Sequence, residues 1–376
     1  MKRRLFGLIA ATASIALTIA LVEALLRMFW SPPSMLSDRP FGGHRWYSMA
    51  PLPGVSGRIV KWEYEHPFVH NQQRMRGDKN FTRERPAEFQ SRILFLGDSF
   101  TYGLGSGDRE IFPELVNMRL PDVEVINSGC NAYGQREELA VLDILGEALR
   151  PDLAILMFFW NDLEDNWMRK RPAYQIADSG KVIRVSGSLT AVEAYDPLAL
   201  QEAVDLEKLR DNAFYTERLL AEGLKSLRYK LIGIKRRDIR KTEDSEAAWA
   251  VTDEYLKMLR MRCEEINTEF LVISIPDHNR VDPSASIRDI EPINFEIEEK
   301  LAEICSDLGI HYLDLTEAMK EAYAKSGQPL YYYADRHLTP IGNVAVADGM
   351  MPVIADILEG ALNNAPRSNP AGPTPR

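Results

Sequence analysis

Three residues have the types and neighbours that acyl chemistry asks for: Ser99 in G-D-S-F-T-Y-G (97–103), and Asp335 with His337 in D-R-H (335–337). A serine hydroxyl is a poor nucleophile at neutral pH, so an imidazole must accept its proton as it attacks. That imidazole turns cationic in the process, and a carboxylate on its other nitrogen orients it and stabilises the charge. Asp335, two residues from His337, can reach it across a turn. The carbonyl oxygen under attack gains negative charge, and each donor converging on it typically contributes about 3 to 4 kcal/mol. Candidate donors are the backbone N–H of Ser99, a backbone N–H from the small-residue turn N-S-G-C-N-A-Y-G (127–134), and the side-chain amide of Asn161 in N-D (161–162). These pieces are all an acyl transfer needs.

Such residues must be gathered by the fold, and the surrounding pattern says which fold. Ile93 to Leu96 is an unbroken apolar run closed by Gly97, which reads as a strand buried on both faces. Val123 to Asn127, Leu153 to Trp160, Glu269 to Ile275 and His311 to Leu315 read as four more strands. Helices are expected at Ile111 to Arg119, Gln135 to Leu149, Ser245 to Asn267, Ile293 to Leu308 and Pro340 to Leu362. Strands alternating with helices pair in parallel through right-handed crossovers. The expectation is an α/β fold, a three-layer α/β/α sandwich around a mostly parallel five-stranded sheet of flavodoxin-like kind. Ligands bind such sheets at the carboxyl edge, where Ser99, Asn127 and Asn161 all fall.

The ordered set G-D-S-F-T-Y-G, N-S-G-C-N-A-Y-G, N-D and D-R-H resembles the SGNH (GDSL-type) esterase and lipase superfamily, over about Arg92 to Leu358. The resemblance implies Ser99 as nucleophile, His337 as base, Asp335 as its partner, and Asn161 as an oxyanion donor. The chain departs from the family pattern at three places. Ala132 stands where a glycine usually supplies the backbone donor; alanine keeps the N–H, with Gly129 and Gly134 as alternatives. Phe159 and Trp160 precede Asn161 where a glycine is common, which narrows the site. One residue rather than two separates Asp335 from His337, a variant similar to polysaccharide O-acetylation proteins.

Other polar residues read more simply. Asp98 is expected to act structurally, as a helix cap or a buried hydrogen-bonding residue, and Asp162 to organise its turn. His278 in I-P-D-H-N-R is expected on a surface loop, and His44, His66 and His70 in surface or packing roles. Tyr331 to Tyr333 fit either a sugar-stacking role or packing beneath the His337 turn, and Cys130 lacks the basic neighbours of an activated thiolate.

The chain has 376 residues and a net charge of −10, which argues against nucleic acid as a partner. Its three cysteines are too few and scattered for a disulfide framework or a zinc site, and the chemistry as read calls for no cofactor. Residues 1–30 differ from the rest: Lys2, Arg3 and Arg4 precede an uncharged run from Leu5 to Val22, with Phe29 and Trp30 beyond. That run suits a single N-terminal transmembrane anchor with its basic end cytoplasmic and the body on the far side, a cleaved signal peptide being the competing reading. Residues 31–91 read as a linker and then peripheral loops and strands packing on the body, and 92–362 as the catalytic domain. Within that domain 163–244 is an insertion with a basic cluster from Lys225 to Lys241, and 363–376 is a disordered tail. The leading expectation is a membrane-anchored serine esterase acting on a small acyl ester, on a carbohydrate or another polar envelope molecule. Acyl transfer to a polysaccharide and non-catalytic glycan binding are the alternatives.

Overall fold

Five parallel strands form the central sheet in a computed structural model of the chain. The structure describes residues 2–29, 40–44, 47–61, 63–168, 174–176, 182–184, 192–193, 196–204, 244–282, 296–333 and 335–364. In chain order, helix α1 (Lys2–Phe29) precedes two antiparallel hairpins, β1 (Phe41–His44) with β2 (Ser48–Pro51) and β3 (Ser56–Val60) with β4 (Glu65–Val69). The body then runs β5 (Ser91–Gly97), α2 (Ser99–Tyr102), α3 (Phe112–Arg119), β6 (Val123–Asn127) and α4 (Gln135–Val141). A π-turn over Leu142–Gly146 leads into α5 (Glu147–Leu149), then β7 (Leu153–Phe158) and α6 (Asn161–Met168). Short strands β8 (Tyr174–Ile176), β9 (Val182–Arg184) and β10 (Val192–Glu193) form a small antiparallel sheet of their own. The chain closes with α7 (Asp244–Glu265), β11 (Glu269–Ser274), α8 (His278–Val281), α9 (Glu296–Leu308), β12 (His311–Asp314), α10 (Thr316–Ser326) and α11 (Pro340–Asn364).

The sheet order β12-β11-β7-β5-β6 reverses direction between β5 and β7. Parallel strands are buried on both faces, and β5 and β7 are buried at every residue. Alternation divides their side chains between two cores. Leu94, Leu96, Leu156 and Val272 join α4, α7 and α9 on one face, while Ile93, Phe95, Ile155 and Ile273 join α3, α10 and α11 on the other. This is the expected three-layer sandwich, with the switch point of the sheet lying between the two strands that carry Ser99 and Asn161.

Residues of the segment read as a linker enter this core. Phe41, Tyr47 and Phe68 are buried with the β5 and α4 side chains, so the described part of 31–91 is a structural piece of the body. Helix α1 contains the apolar stretch Ala10–Leu26, with Leu17 and Leu21 more than half exposed, a pattern shared by membrane anchors and signal sequences. Among the described residues, Pro340–Gly360 of α11 is long and apolar enough to cross a membrane, but half of it is buried in the core. The basic cluster from Lys225 to Lys241 and residues 365–376 of the tail lie outside the described residues.

Candidate active site

Strand β5 delivers Ser99 to the carboxyl edge through a turn with little room. Gly97 has φ +151°, and a Cβ there would lie 2.1 Å from Thr101 Oγ1, so glycine is required on both counts. Asp98 caps α2 by accepting the Phe100 N–H at 2.8 Å. Ser99 follows as the first helical residue, with 8% of its surface exposed.

The partner side chains arrive from a tight loop ahead of α11. Tyr331 and Leu338 form an antiparallel bridge, and the Tyr332 N–H donates to the His337 carbonyl at 2.9 Å. At the tip Arg336 adopts φ +70°, which turns the chain so that side chains two residues apart meet. His337 Nδ1 hydrogen-bonds Asp335 Oδ1, and His337 Nε2 lies 2.8 Å from Ser99 Oγ. The imidazole rests on Phe100, ring centroids 5.0 Å apart, and Phe100 packs on Phe159 at 4.1 Å. The three residues singled out from the sequence are thus joined in one relay with the geometry of nucleophile, base and orienting acid.

The donor side is organised by β6 and β7. Within the 127–134 turn most backbone N–H groups are engaged locally: Gly129 to Asn127 Oδ1 at 3.0 Å, Cys130 to the Gly97 carbonyl at 3.2 Å, and Gly134 to Glu137 Oε2 at 3.4 Å. Gly129 and Gly134 are therefore poorer donors than the sequence allowed. Gly129 serves another purpose, since a Cβ on it would lie 2.4 Å from the Tyr102 nitrogen. Ala132 sits at the bend of the turn with φ +60°, a conformation glycine adopts more readily. Asn161 opens α6, and its Nδ2 donates to Asp98 Oδ2 at 3.2 Å and to Asp165 Oδ2 at 3.4 Å.

The profile of the GDSL-like lipase/acylhydrolase family matches residues 95–345. The chain belongs to this family and is an ester-hydrolysing enzyme. No curated protein matches it. Among solved structures it is similar to the psychrotrophic esterase EstA from Pseudoalteromonas sp., at 14% identity and a TM-score of 0.38, covering 73% of this chain and 100% of that one. It is also similar to a catalytic mutant of Axe2, an acetylxylan esterase from Geobacillus stearothermophilus, at 13% identity and a TM-score of 0.40, covering 72% of this chain and 96% of that one.

Around Ser99 and His337, the charges are arranged by depth. Burial works to raise the Asp335 pKa, but the His337 hydrogen bond and charge, the Lys61 charge and a Tyr64 hydrogen bond outweigh it and hold the carboxylate below its ordinary value. Deeper down, burial pushes the carboxyls of Asp98, Glu138 and Asp162 upward, and their mutual repulsion adds to this for Glu138 and Asp162. Both Glu138 oxygens and Asp162 Oδ1 lack hydrogen-bond partners, so this trio is poorly disposed to carry three negative charges. Among the described residues no group of His, Cys, Asp or Glu is placed to hold a metal ion.

The remaining expectations divide. Asp98 and Asp162 are structural as read: Asp162 accepts the Phe159 N–H at 2.9 Å. His278 is not on the surface. It is 7% exposed, with Nδ1 2.8 Å from Asp277 Oδ1, because Asp277 caps α8 and draws the ring inward against Tyr331. Tyr331 is buried with its hydroxyl on the Pro276 carbonyl, Tyr332 donates to the Gly105 carbonyl at 2.9 Å, and Tyr333 is 69% exposed. Burial raises the Cys130 thiol pKa, in keeping with an inert cysteine. The sequence reading missed the β3–β4 hairpin at the site: Tyr64 donates to Asp335 Oδ1 at 3.0 Å, and Glu63 Oε2 accepts the Asp335 N–H at 2.6 Å. No local motif in K-W-E-Y-E-H marks this contact.

Proposed function

We propose that the chain hydrolyses a small acyl ester through an acyl-Ser99 intermediate, with His337 as general base and acid and Asp335 as its orienting partner. The observation that carries the reading is the unbroken Ser99–His337–Asp335 relay. Ser99 Oγ attacks the carbonyl carbon as its proton passes to His337 Nε2. The Ser99 N–H, the Ala132 N–H and the Asn161 amide stabilise the resulting oxyanion. On collapse the C–O bond to the leaving group breaks and His337 returns the proton to that alkoxide, releasing the alcohol. Water then attacks the acyl-serine, giving its proton to His337, and the carboxylic acid departs with Ser99 restored.

The substrate is an acylated carbohydrate or a similar polar envelope molecule. The exposed Tyr333 ring on the His337 loop supports this, since it offers a face for a sugar. The apolar α1 helix anchors the chain, with the body on the side of the membrane opposite the basic residues at its start. The test is hydrolysis of p-nitrophenyl acetate by the full chain in detergent, with labelling by a fluorophosphonate. Turnover and labelling that both vanish in Ser99→Ala support the reading; neither occurring in the wild type refutes it.

A further inference from the structure

We infer that Tyr64 is a positioning residue for the ester-hydrolysing reaction, and that the β3–β4 hairpin is part of the active site. This rests on the acyl-serine reading above. The Tyr64 hydroxyl donates to Asp335 Oδ1, the same oxygen that receives His337 Nδ1. Two further hairpin residues bear on Asp335: Glu63 holds its N–H, and Lys61 Nζ stands 4.0 Å from Oδ2. The carboxylate is thus gripped at its backbone, at the oxygen facing the imidazole and, more loosely, at the other oxygen. Tyr64 lies outside the family match, which begins at residue 95, and reaches Asp335 across 271 positions of chain.

The phenol has two effects on the relay. It adds a second hold on the Oδ1 that receives His337 Nδ1, against the pull of Lys61 on the other oxygen. It also draws charge from Oδ1, weakening the stabilisation of an imidazolium next to it. Removing the hydroxyl therefore loosens the aim of His337 and leaves more charge on the carboxylate beside it. The other charged and titratable groups facing the pair are Lys61 and Glu63 on the hairpin, His66 on β4, Asp98 beneath Ser99, Tyr332 on the loop ahead of α11, and Arg336 between the two residues. None of them changes in Tyr64→Phe. The ring stays packed, because it lies 4.6 Å from Tyr332 and 5.6 Å from His66 by contacts that phenylalanine retains.

The experiment compares the pH profile of kcat/KM for full-length wild type, Tyr64→Phe and Lys61→Met on p-nitrophenyl acetate, with melting temperatures alongside. Tyr64→Phe is expected to lower kcat/KM at its optimum about fivefold and to move the acid limb up by about half a pH unit. Lys61→Met removes a partly exposed cation and moves the limb in the same direction; if Tyr64→Phe does not fold, this variant decides. A wild-type profile in the variants, even with a lowered melting temperature, overturns the inference. A wild type that neither turns over substrate nor takes the fluorophosphonate label overturns the acyl-serine reading instead.

Discussion

Asn161 Nδ2 lies 3.2 Å from Asp98 Oδ2, so the amide proposed to receive the oxyanion is held in the resting site by a buried carboxyl next to Ser99. Asp98 accepts from Phe100 and Asn161 together, tying the cap of α2 to the start of α6. As negative charge grows on the substrate oxygen, the amide turns to it from its two carboxylate acceptors, of which Asp165 at 3.4 Å is the longer. Asn161→Ala should then lower kcat by about 10²- to 10³-fold with little change in KM, the size typical of one lost donor. Steady-state kinetics decide it, and a change confined to KM would remove Asn161 from the oxyanion site.

Ser99 and His337 act as one unit in the proposed mechanism, so their removal should not add. Ser99→Ala and His337→Ala are each expected to reduce kcat to the same residual rate, by at least about 10⁴-fold, and the double variant to fall no further. A double variant much slower than either single one would mean that each residue works independently. Near-wild-type circular dichroism in all three would confine the effect to chemistry.

The sheet was legible in the sequence because central parallel strands need continuous apolar runs, and those at 93–96 and 153–158 stand out from their flanks, while V-E-V-I-N at 123–127 is announced by the Pro121-Asp122 turn before it. Asp335 and His337 were legible because only Arg336 stands between them. Two kinds of feature were not. Helix α10 buries only Thr316 and Met319, too sparse a stripe to reveal a helix, and Tyr64 meets Asp335 through folding across 271 positions. The burial of His278 followed the same rule: the cap formed by Asp277 is local, but the Tyr331 ring that covers it comes from a distant loop.

Ala132 offers a test of whether the turn after β6 contributes through its backbone alone. An L-residue at φ +60° is strained by about 1 to 2 kcal/mol relative to the ordinary helical region, and glycine relieves this. Ala132→Gly should raise stability by up to about 1 kcal/mol, reduced by glycine's greater freedom when unfolded, and leave kcat within about twofold. Urea unfolding with parallel kinetics reads both. A large loss of kcat would show that the methyl group, rather than the N–H, is what the site uses.

Two buried histidines couple the N-terminal segment to α2 and the turn that follows it, and their protonation sets an acid limit on stability. His66 Nε2 accepts the Gly105 N–H at 3.1 Å with Nδ1 on the Pro67 carbonyl, and His70 Nε2 accepts the Tyr102 hydroxyl at 2.8 Å with Nδ1 on the Leu52 carbonyl. Each ring is therefore neutral, with both nitrogens committed. Burial first, and the Arg76 charge second, lower their pKa values from 6.5 to about 4 for His66 and about 3 for His70. The unfolded chain binds more protons than the folded one between those limits, so stability rises with pH there. The contribution is fully present above about pH 6.5 and declines as pH falls toward 4, on the order of 3 kcal/mol for His66 if its whole shift is realised. Denaturant midpoints measured from pH 7.5 to 4.5 should fall accordingly. In His70→Gln, which cannot take up a proton, the fall should be shallower; an equally steep fall in that variant would place the acid sensitivity elsewhere.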